Sequence, residues 1–269
     1  MNKELNQKYG DLKNSIKNLD SAIIAFSGGI DSTLVLKAAH DVLGSNAVAV
    51  TADSPSLPRS ELDETKEIVK QIGARHIIIN TKETENEEYL KNPGNRCYFC
   101  KTELYTKLKD VSSELKIENI LNGTNLDDMG DYRTGLKAAD EHRIISPLKD
   151  ANLTKNDIRQ IAKYLGLKAW DKPSSPCLSS RVPYGHQITM KKLEMIEKAE
   201  SFLKSFGIKE LRVRHFGDTA RIDVKDYDKK IIDENINAIE IKFNEIGFSS
   251  ILVSNFKSGS LNMVLNATS

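Results

Sequence analysis

Cysteine is scarce in this 269-residue chain, which has only Cys97, Cys100 and Cys177. So low a count excludes the disulfide framework that small secreted domains use in place of a core. Long hydrophobic runs are missing as well. The apolar stretches AIIAF, AVAV and HIII fall far short of the ~18 residues of a membrane span. The polar N-terminal stretch MNKELNQKYGDLKNSIKNLD lacks the apolar centre of a secretory signal, and its spacing predicts an amphipathic helix. A cytoplasmic protein is therefore expected. In that compartment thiols stay reduced, and a C-x-x-C pair reads as metal-binding or catalytic before it reads as a disulfide. Neither sign of charge is in excess: 39 basic against 38 acidic side chains leave a net +1. Wholesale nucleic-acid binding through a basic field is not suggested, whereas a local anion pocket stays compatible. Internal repeats and low-complexity tracts are absent.

What is present is a hydrophobic content of 39%, enough for one large core or two smaller ones. From residue 20 to about 150, short apolar runs alternate with amphipathic segments. Strands are expected at 22–26, 46–53, 74–80 and 118–125, with a fifth at 143–148. Helices are expected at 31–44, 58–73 and 98–116, the first two closed by glycine. This alternation predicts an α/β fold with a parallel sheet covered on both faces, and ligands bound beyond the carboxyl ends of the strands. After about 150 the pattern changes. Helices are expected at 153–167, 189–207 and 229–247, and a loop at 171–187. KELRVRHFG and DTARIDV read as a hairpin turning at Gly217-Asp218, followed by a strand at 249–254. The expected division is a first domain over 1–184 and a smaller C-terminal α+β domain over 185–269.

The sharpest local pattern is AFSGGIDSTLVLKAA, residues 25–39. A strand, a glycine pair, Asp-Ser and then a helix make a phosphate-cradling geometry. Gly28 and Gly29 allow close backbone approach, Ser27, Ser32 and Thr33 offer hydroxyls, and the helix N-terminus supplies unbonded N–H groups. The chain has no Walker lysine motif and no G-x-G-x-x-G dinucleotide fingerprint here. S-G-G-x-D-S after a strand resembles the PP-loop ATP pyrophosphatases, with Asp31 as the acidic member of the motif. The resemblance implies that ATP is cleaved between its α and β phosphates, AMP going to an acceptor oxygen. It also implies that Thr51 and Ser54, at the end of the second strand, meet the adenine. A second polar cluster, NGTNLDDMGDYR, follows the fourth strand. There Gly123, Thr124 and Asn125 are candidates to line the nucleotide, and Asp127, Asp128 and Asp131 to hold Mg²⁺. A solvated acidic turn is the plainer reading of the same residues.

An adenylylated acceptor needs a nucleophile. The chain shows no segment that would deliver ammonia, which leaves its thiols. Cys177 has Arg181 four residues on, and Cys97 and Cys100 open a helix; both settings favour a thiolate. SGGIDSTL, TADSPSLPRSELDE, NRCYFCKTELY, NGTNLDDMGDYRTGLKAADE, SPLKDANLTKNDIR, KPSSPCLSSRVPYG and LRVRHFGDTARIDV, in this order, resemble the LarE family. These are ATP-dependent sulfur transferases of nickel-pincer nucleotide synthesis. The resemblance implies a pyridinium-dicarboxylate mononucleotide as substrate, adenylylated on a carboxylate and converted to a thiocarboxylate. In one branch the cysteine matching Cys177 gives up its own sulfur. In another, the C-x-x-C joins it to hold a [4Fe–4S] cluster, and this chain has the C-x-x-C. Three thiolates leave one iron of such a cluster open for a sulfide. Other readings are a zinc site completed by His76 or His186, a persulfide relay without metal, and three unrelated buried cysteines.

In LRVRHFG, period two puts Arg212 and Arg214 on one strand face, a fork suited to phosphate. Taken alone, they read first as an ordinary charged face. The resemblance implies that they hold the substrate's phosphate, that Glu200 and Asp223 bind a metal or orient the site, and that Arg181 steadies the adenylate or pairs with a carboxylate. ATP, Mg²⁺ and the cluster are the expected cofactors. A sulfide or other sulfur donor is the expected partner, and homo-oligomers are expected. The rival with the same chemistry, tRNA thiolation, calls for a basic surface that the charge balance does not supply. A non-catalytic ATP sensor would have little use for Asp31 and three thiols.

Overall fold

A computed structural model of the protein describes residues 1–130 and 134–257. The expected N-terminal helix is α1 (Lys3–Lys17), capped by the Asn2 side chain and burying Leu5, Tyr9, Leu12 and Ile16 along one stripe. Then come β1 (Ala22–Ala25), α2 (Ile30–Leu43), β2 (Ala47–Asp53), α3 (Arg59–Ile72) and β3 (Arg75–Asn80). A single turn, α4 (Glu87–Leu90), precedes α5 (Arg96–Leu115), β4 (Ile120–Leu121), α6 (Thr134–Glu141), α7 (Pro147–Asp150) and α8 (Lys155–Tyr164). The remainder is α9 (Met190–Lys204), β5 (Leu211–Phe216), β6 (Thr219–Val224), α10 (Lys229–Glu234), α11 (Ile236–Ile246) and β7 (Ser250–Asn255). No helix among the described residues is long and apolar enough to cross a membrane.

The chain divides into two units. One comprises residues 1–83 and 97–175; the other comprises 84–96 and the chain from 176. The sequence pattern suggested a single boundary between 184 and 185. The observed division is discontinuous, because the excursion 84–96 belongs with the later residues.

In the first unit the sheet is parallel throughout, in the order β3-β2-β1-β4. Successive strand residues serve opposite faces. Ala22, Ile24, Ala47 and Ala49 join the core that contains α1, α2 and α8 residues. Ile23, Val48 and Val50 join the one that contains Tyr105, Leu108 and Val111 of α5 with Ala138 and Ala139 of α6. The sheet is thus covered on both sides, as the apolar runs predicted. The expected fifth strand does not form. Ile145 makes one parallel bridge to Leu121, and Pro147, with no N–H to give a ladder, opens α7 instead.

The second unit holds a mixed sheet in the order β5-β6-β7. β5 and β6 form the expected hairpin, with Gly217 at φ +66°, and β7 runs parallel to β6. Its core joins Ala199 and Leu203 of α9, Val213, Ile222, Ile239 and Phe243. The helix expected over 229–247 is broken at Asn235. The Asn235 side-chain amide donates to the Ile231 carbonyl at 2.8 Å, an alternative to the helical ladder, and α11 starts afresh.

Candidate active site

The phosphate loop connects β1 to α2. Gly28 has φ +71°, and a Cβ built there would lie 2.9 Å from Thr65 Cγ2 of α3, so both conformation and space call for glycine. Gly29 is the N-cap of α2 and brings no side chain to it, which leaves the helix N-terminus open to an anion. The Ser32 hydroxyl donates to the Gly29 carbonyl at 3.0 Å and accepts from the Ser27 N–H at 3.3 Å, and Thr33 Oγ1 donates to Gly29 O at 2.9 Å. The loop is therefore shaped by its own hydroxyls before any ligand arrives.

The second polar cluster closes on this loop. A Cβ on Gly123 would stand 2.8 Å from the Ser32 backbone nitrogen and 3.1 Å from the Asp31 carbonyl carbon, so only glycine lets the segment after β4 lie against the α2 N-terminus. The Asn125 amide donates to Asp31 Oδ1 at 3.3 Å, and Lys155, the first residue of α8, donates its Nζ to Asp31 Oδ2. Lys155 was missed by sequence reasoning. It lies in LTKNDIR, where Thr154 and Asp157 form a capping box, but its partner is 124 residues away. Asp127 Oδ2 accepts from the Lys155 backbone N–H at 2.8 Å and Asp128 Oδ2 from the Asn125 N–H at 3.1 Å, so these carboxylates close the turn. Asp31 is the acid that faces the loop. Thr124 gives its carbonyl to the Lys149 N–H, and Asp131 lies outside the described residues.

At the end of β2, Thr51 Oγ1 donates to the Phe26 carbonyl at 3.0 Å and meets His76 Nε2 at 2.8 Å. Burial, with the Lys66 charge second, holds His76 below its ordinary pKa, as expected for a neutral ring bonded to a hydroxyl. Ser54 is buried in a turn with Ser56 (2.9 Å between hydroxyls), and Ser56 donates to buried Glu83 at 2.9 Å. Ser54 thus shapes the wall beside Thr51 through its hydroxyl.

The cysteines fall in both units, and none is in a disulfide. Cys97 and Cys100 lie three apart on one face of the first turns of α5, where the helix dipole favours thiolate. Cys177, in the second unit, is half-buried and leads a short 3₁₀ turn; its carbonyl accepts from the Ser180 hydroxyl at 2.7 Å and from Arg181 Nη1 at 3.1 Å. Within either unit, among the described residues, no group of three or more His, Cys, Asp or Glu stands at metal-holding distance. Neither His76 nor His186 joins a cysteine in such a group.

Arg181 is 1% exposed. Its Nε and Nη2 donate to the two Glu200 oxygens at 2.8 and 3.1 Å, and Nη1 reaches the carbonyls of Pro176 and Cys177. Glu200 also accepts from the Val213 N–H at 3.0 Å. These two residues therefore form a buried brace behind the Cys177 loop. Arg212 and Arg214 share a strand face but have different partners. Arg214 donates to Asp223, which is also gripped by Arg221 at 2.9 Å, a third arginine that sequence reasoning passed over. Arg212 lies over the Phe256 ring at 5.2 Å. Burial, then the neighbouring Arg181 charge, pulls Arg212 down to about 10, still protonated at neutral pH. Arg181, Arg212, Arg214 and Arg221 against Glu200 and Asp223 leave this face cationic.

Comparisons with known proteins place relatives along the chain. The NAD synthase family model matches residues 6–96, which contain the phosphate loop. An uncharacterized protein of Synechocystis is 42% identical over 97% of this chain and 99% of its own. An uncharacterized protein of Methanocaldococcus jannaschii is 31% identical over 93% of this chain and 95% of its own. The pyridinium-3,5-bisthiocarboxylic acid mononucleotide synthase of Lactiplantibacillus plantarum is 34% identical over 96% of this chain and 95% of its own. With that likeness running from one end to the other, the chain belongs to the LarE family of ATP-dependent sulfur transferases.

Proposed function

We propose that the protein adenylylates a carboxylate of a pyridinium-dicarboxylate mononucleotide and converts it to a thiocarboxylate, a step toward a nickel-pincer nucleotide. The observation that carries this reading is the convergence of Asn125 and Lys155 on Asp31 at the open N-terminus of α2. The α2 N–H groups and the loop hydroxyls bind polyphosphate. Asp31 would hold Mg²⁺, with ATP supplying the remaining oxygens, and Asp127 and Asp128 support the turn beside it. Thr51 and Ser54 line the adenine side, with Gly123 closing the loop. A substrate carboxylate oxygen attacks the α-phosphorus, its new P–O bond replacing the bond to pyrophosphate. A sulfur nucleophile then attacks the acyl carbon, and the C–O bond to AMP breaks. Arg212, backed by Arg181 and Arg214, binds the substrate's phosphate.

Cys97, Cys100 and Cys177 would hold a [4Fe–4S] cluster. The i, i+3 pair at the α5 N-terminus suits two of its ligands. When bound, such a cluster supplies an open iron position that carries an exchangeable sulfide. A second reading is favoured by the braced, half-buried setting of Cys177: direct donation of that residue's own sulfur. The reading includes a cytoplasmic location, a sulfide or other sulfur donor as partner, and self-association into a homo-oligomer. The test is anaerobic reconstitution with iron and sulfide, followed by turnover with ATP and the mononucleotide. About four irons per chain, absent from Cys97→Ala, are expected together with thiocarboxylate product. An iron-free, active wild type whose Cys177 loses sulfur after one turnover overturns the cluster. Absence of pyrophosphate release with substrate present overturns the adenylylation.

A further inference from the structure

The segment 84–96 makes no part of either sheet, and sequence reasoning assigned nothing to its residues 84–94. In the second unit it is bonded to the loop that follows Cys177. The Asn92 amide nitrogen donates to three carbonyls, those of Val182 (3.2 Å), Pro183 (2.7 Å) and His186 (3.0 Å). Its own carbonyl accepts from Gly185 N–H at 3.0 Å, and the Leu90 carbonyl from Ile188 N–H at 2.8 Å. Arg96 reaches the Ser179 carbonyl at 3.0 Å and Asn92 Oδ1, with its guanidinium over the Tyr184 ring. Tyr89 Oη meets Ser179 Oγ at 2.5 Å. Tyr89, Asn92, Arg96 and Ser179 are all at most 4% exposed.

Residues 177–188 contain no strand and no α-helix; their own N–H groups reach the Cys177, Ser179 and Pro183 carbonyls, and Pro183 has no N–H to give, so the loop satisfies its carbonyls only in part. The two hydrogens of the Asn92 amide, one of them shared, reach three carbonyls, of which those of Val182 and His186 have no donor within the loop. The Asn92 backbone has φ +56°, a conformation that non-glycine residues adopt at a cost but that asparagine tolerates best. A glycine there would relieve the backbone and lose every one of these side-chain bonds.

We infer that Asn92 is a positioning residue for sulfur transfer, with Tyr89 as its support: the 84–96 segment templates the Cys177 loop and so fixes where the thiol stands. This inference rests on the reading that Cys177 handles the sulfur. Buried hydrogen-bonded networks of this kind specify one arrangement where a bare loop would sample several. Displacement of a reacting group by about 1 Å can cost ~100-fold in rate. Adenylylation, carried out by the phosphate loop, has no such dependence on Asn92.

The test uses the full chain and two variants, Asn92→Gly and Tyr89→Phe. Asn92→Gly keeps the backbone conformation and removes the amide; Tyr89→Phe removes one hydroxyl. Pyrophosphate released and thiocarboxylate formed are measured in the same reaction, with the melting temperature recorded beside them. The expected result is an unchanged KM for ATP and a ratio of pyrophosphate to product that rises at least about tenfold in Asn92→Gly, and less in Tyr89→Phe. The unused adenylate is then lost to water. A merely structural role lowers both quantities together and leaves the ratio at the wild-type value, which overturns the inference. Cys177→Ala separates the two claims. If it still forms product at the wild-type ratio, the sulfur reading itself fails. If it forms none and Asn92→Gly stays coupled, only the role of Asn92 fails.

Discussion

Lys155 donates its ammonium to Asp31, the acid of the phosphate loop, across 124 residues of sequence. The partners are partly exposed, at 38% and 23% of their side chains, so the pair adds little to stability. Its value is in placing a positive charge where pyrophosphate must develop. Lys155→Met is expected to lower pyrophosphate formation by about 100-fold, in the range for loss of one preorganised charge, while the melting temperature stays near wild type. Lys155→Arg restores part of the rate. Measuring pyrophosphate release under saturating substrate checks both.

Gly28 and Thr65 form a second testable contact. Gly28→Ala places a methyl 2.9 Å from Thr65 Cγ2 at a backbone φ of +71°. Overpacking and left-handed strain together are expected to cost about 2–4 kcal/mol in denaturant unfolding. Thr65→Ser removes the clashing methyl. Gly28→Ala with Thr65→Ser should recover roughly 1–2 kcal/mol, with the conformational part remaining. Full recovery would mean that space alone selects glycine here.

Glu200 tests the assignment of the second unit's acids. As the brace on Arg181, its change to Gln leaves a buried guanidinium uncompensated and is expected to cost about 3–5 kcal/mol of stability. Added Mg²⁺ should not restore it. A Glu200→Gln variant with wild-type melting, whose lost activity returns at high Mg²⁺, would instead mark Glu200 as a metal ligand.

Three histidines, one buried and two half-buried, set an acid limit. His76, His142 and His215 are each held below the ordinary value of 6.5, with burial the largest cause. Below about 6.5 the unfolded chain binds protons that the folded chain refuses, so stability falls as pH falls and is flat above that point. Melting is expected at a lower temperature at about pH 5.5 than at about pH 7.5. His215→Phe, which keeps a ring against Phe248, should reduce that slope.

Much of the first unit was legible because its signals are local. Gly44 and Gly73 end α2 and α3 where a stop was expected, and β1 to β3 follow their apolar runs. The phosphate loop was legible because the positive φ of Gly28 and the N-cap position of Gly29 are local demands, whereas the contact with Thr65 of α3 that also excludes a side chain at Gly28 was not. The errors have equally physical causes. Ile144 and Ile145 read as strand, but Pro147 two residues later cannot supply a ladder donor. Asn235 looked tolerable within a helix until its amide bonded back to Ile231. Arg212 and Arg214 share one face on paper, and Asp223, which stands opposite Arg212 in register, bonds diagonally to Arg214, a choice that spacing does not reveal. Lys155, Asn92 and Arg221 were passed over because their roles depend on partners that no local pattern names.

The discontinuous division of the chain has a consequence for how the protein is made. Residues 84–96 leave the ribosome about 80 residues ahead of the loop they bond to. Until 176–188 has been synthesised, Asn92 and Arg96 have no carbonyls to receive their donors, and the polar groups that end up buried stay in water. Completion of the second unit is therefore a late, non-local event in folding, while the parallel sheet of the first unit can close beforehand. A single cut near residue 175 would not release two self-sufficient halves, since the N-terminal fragment keeps the template and the C-terminal fragment keeps the loop it shapes. The intact chain should outlast a mixture of the two pieces under a protease challenge.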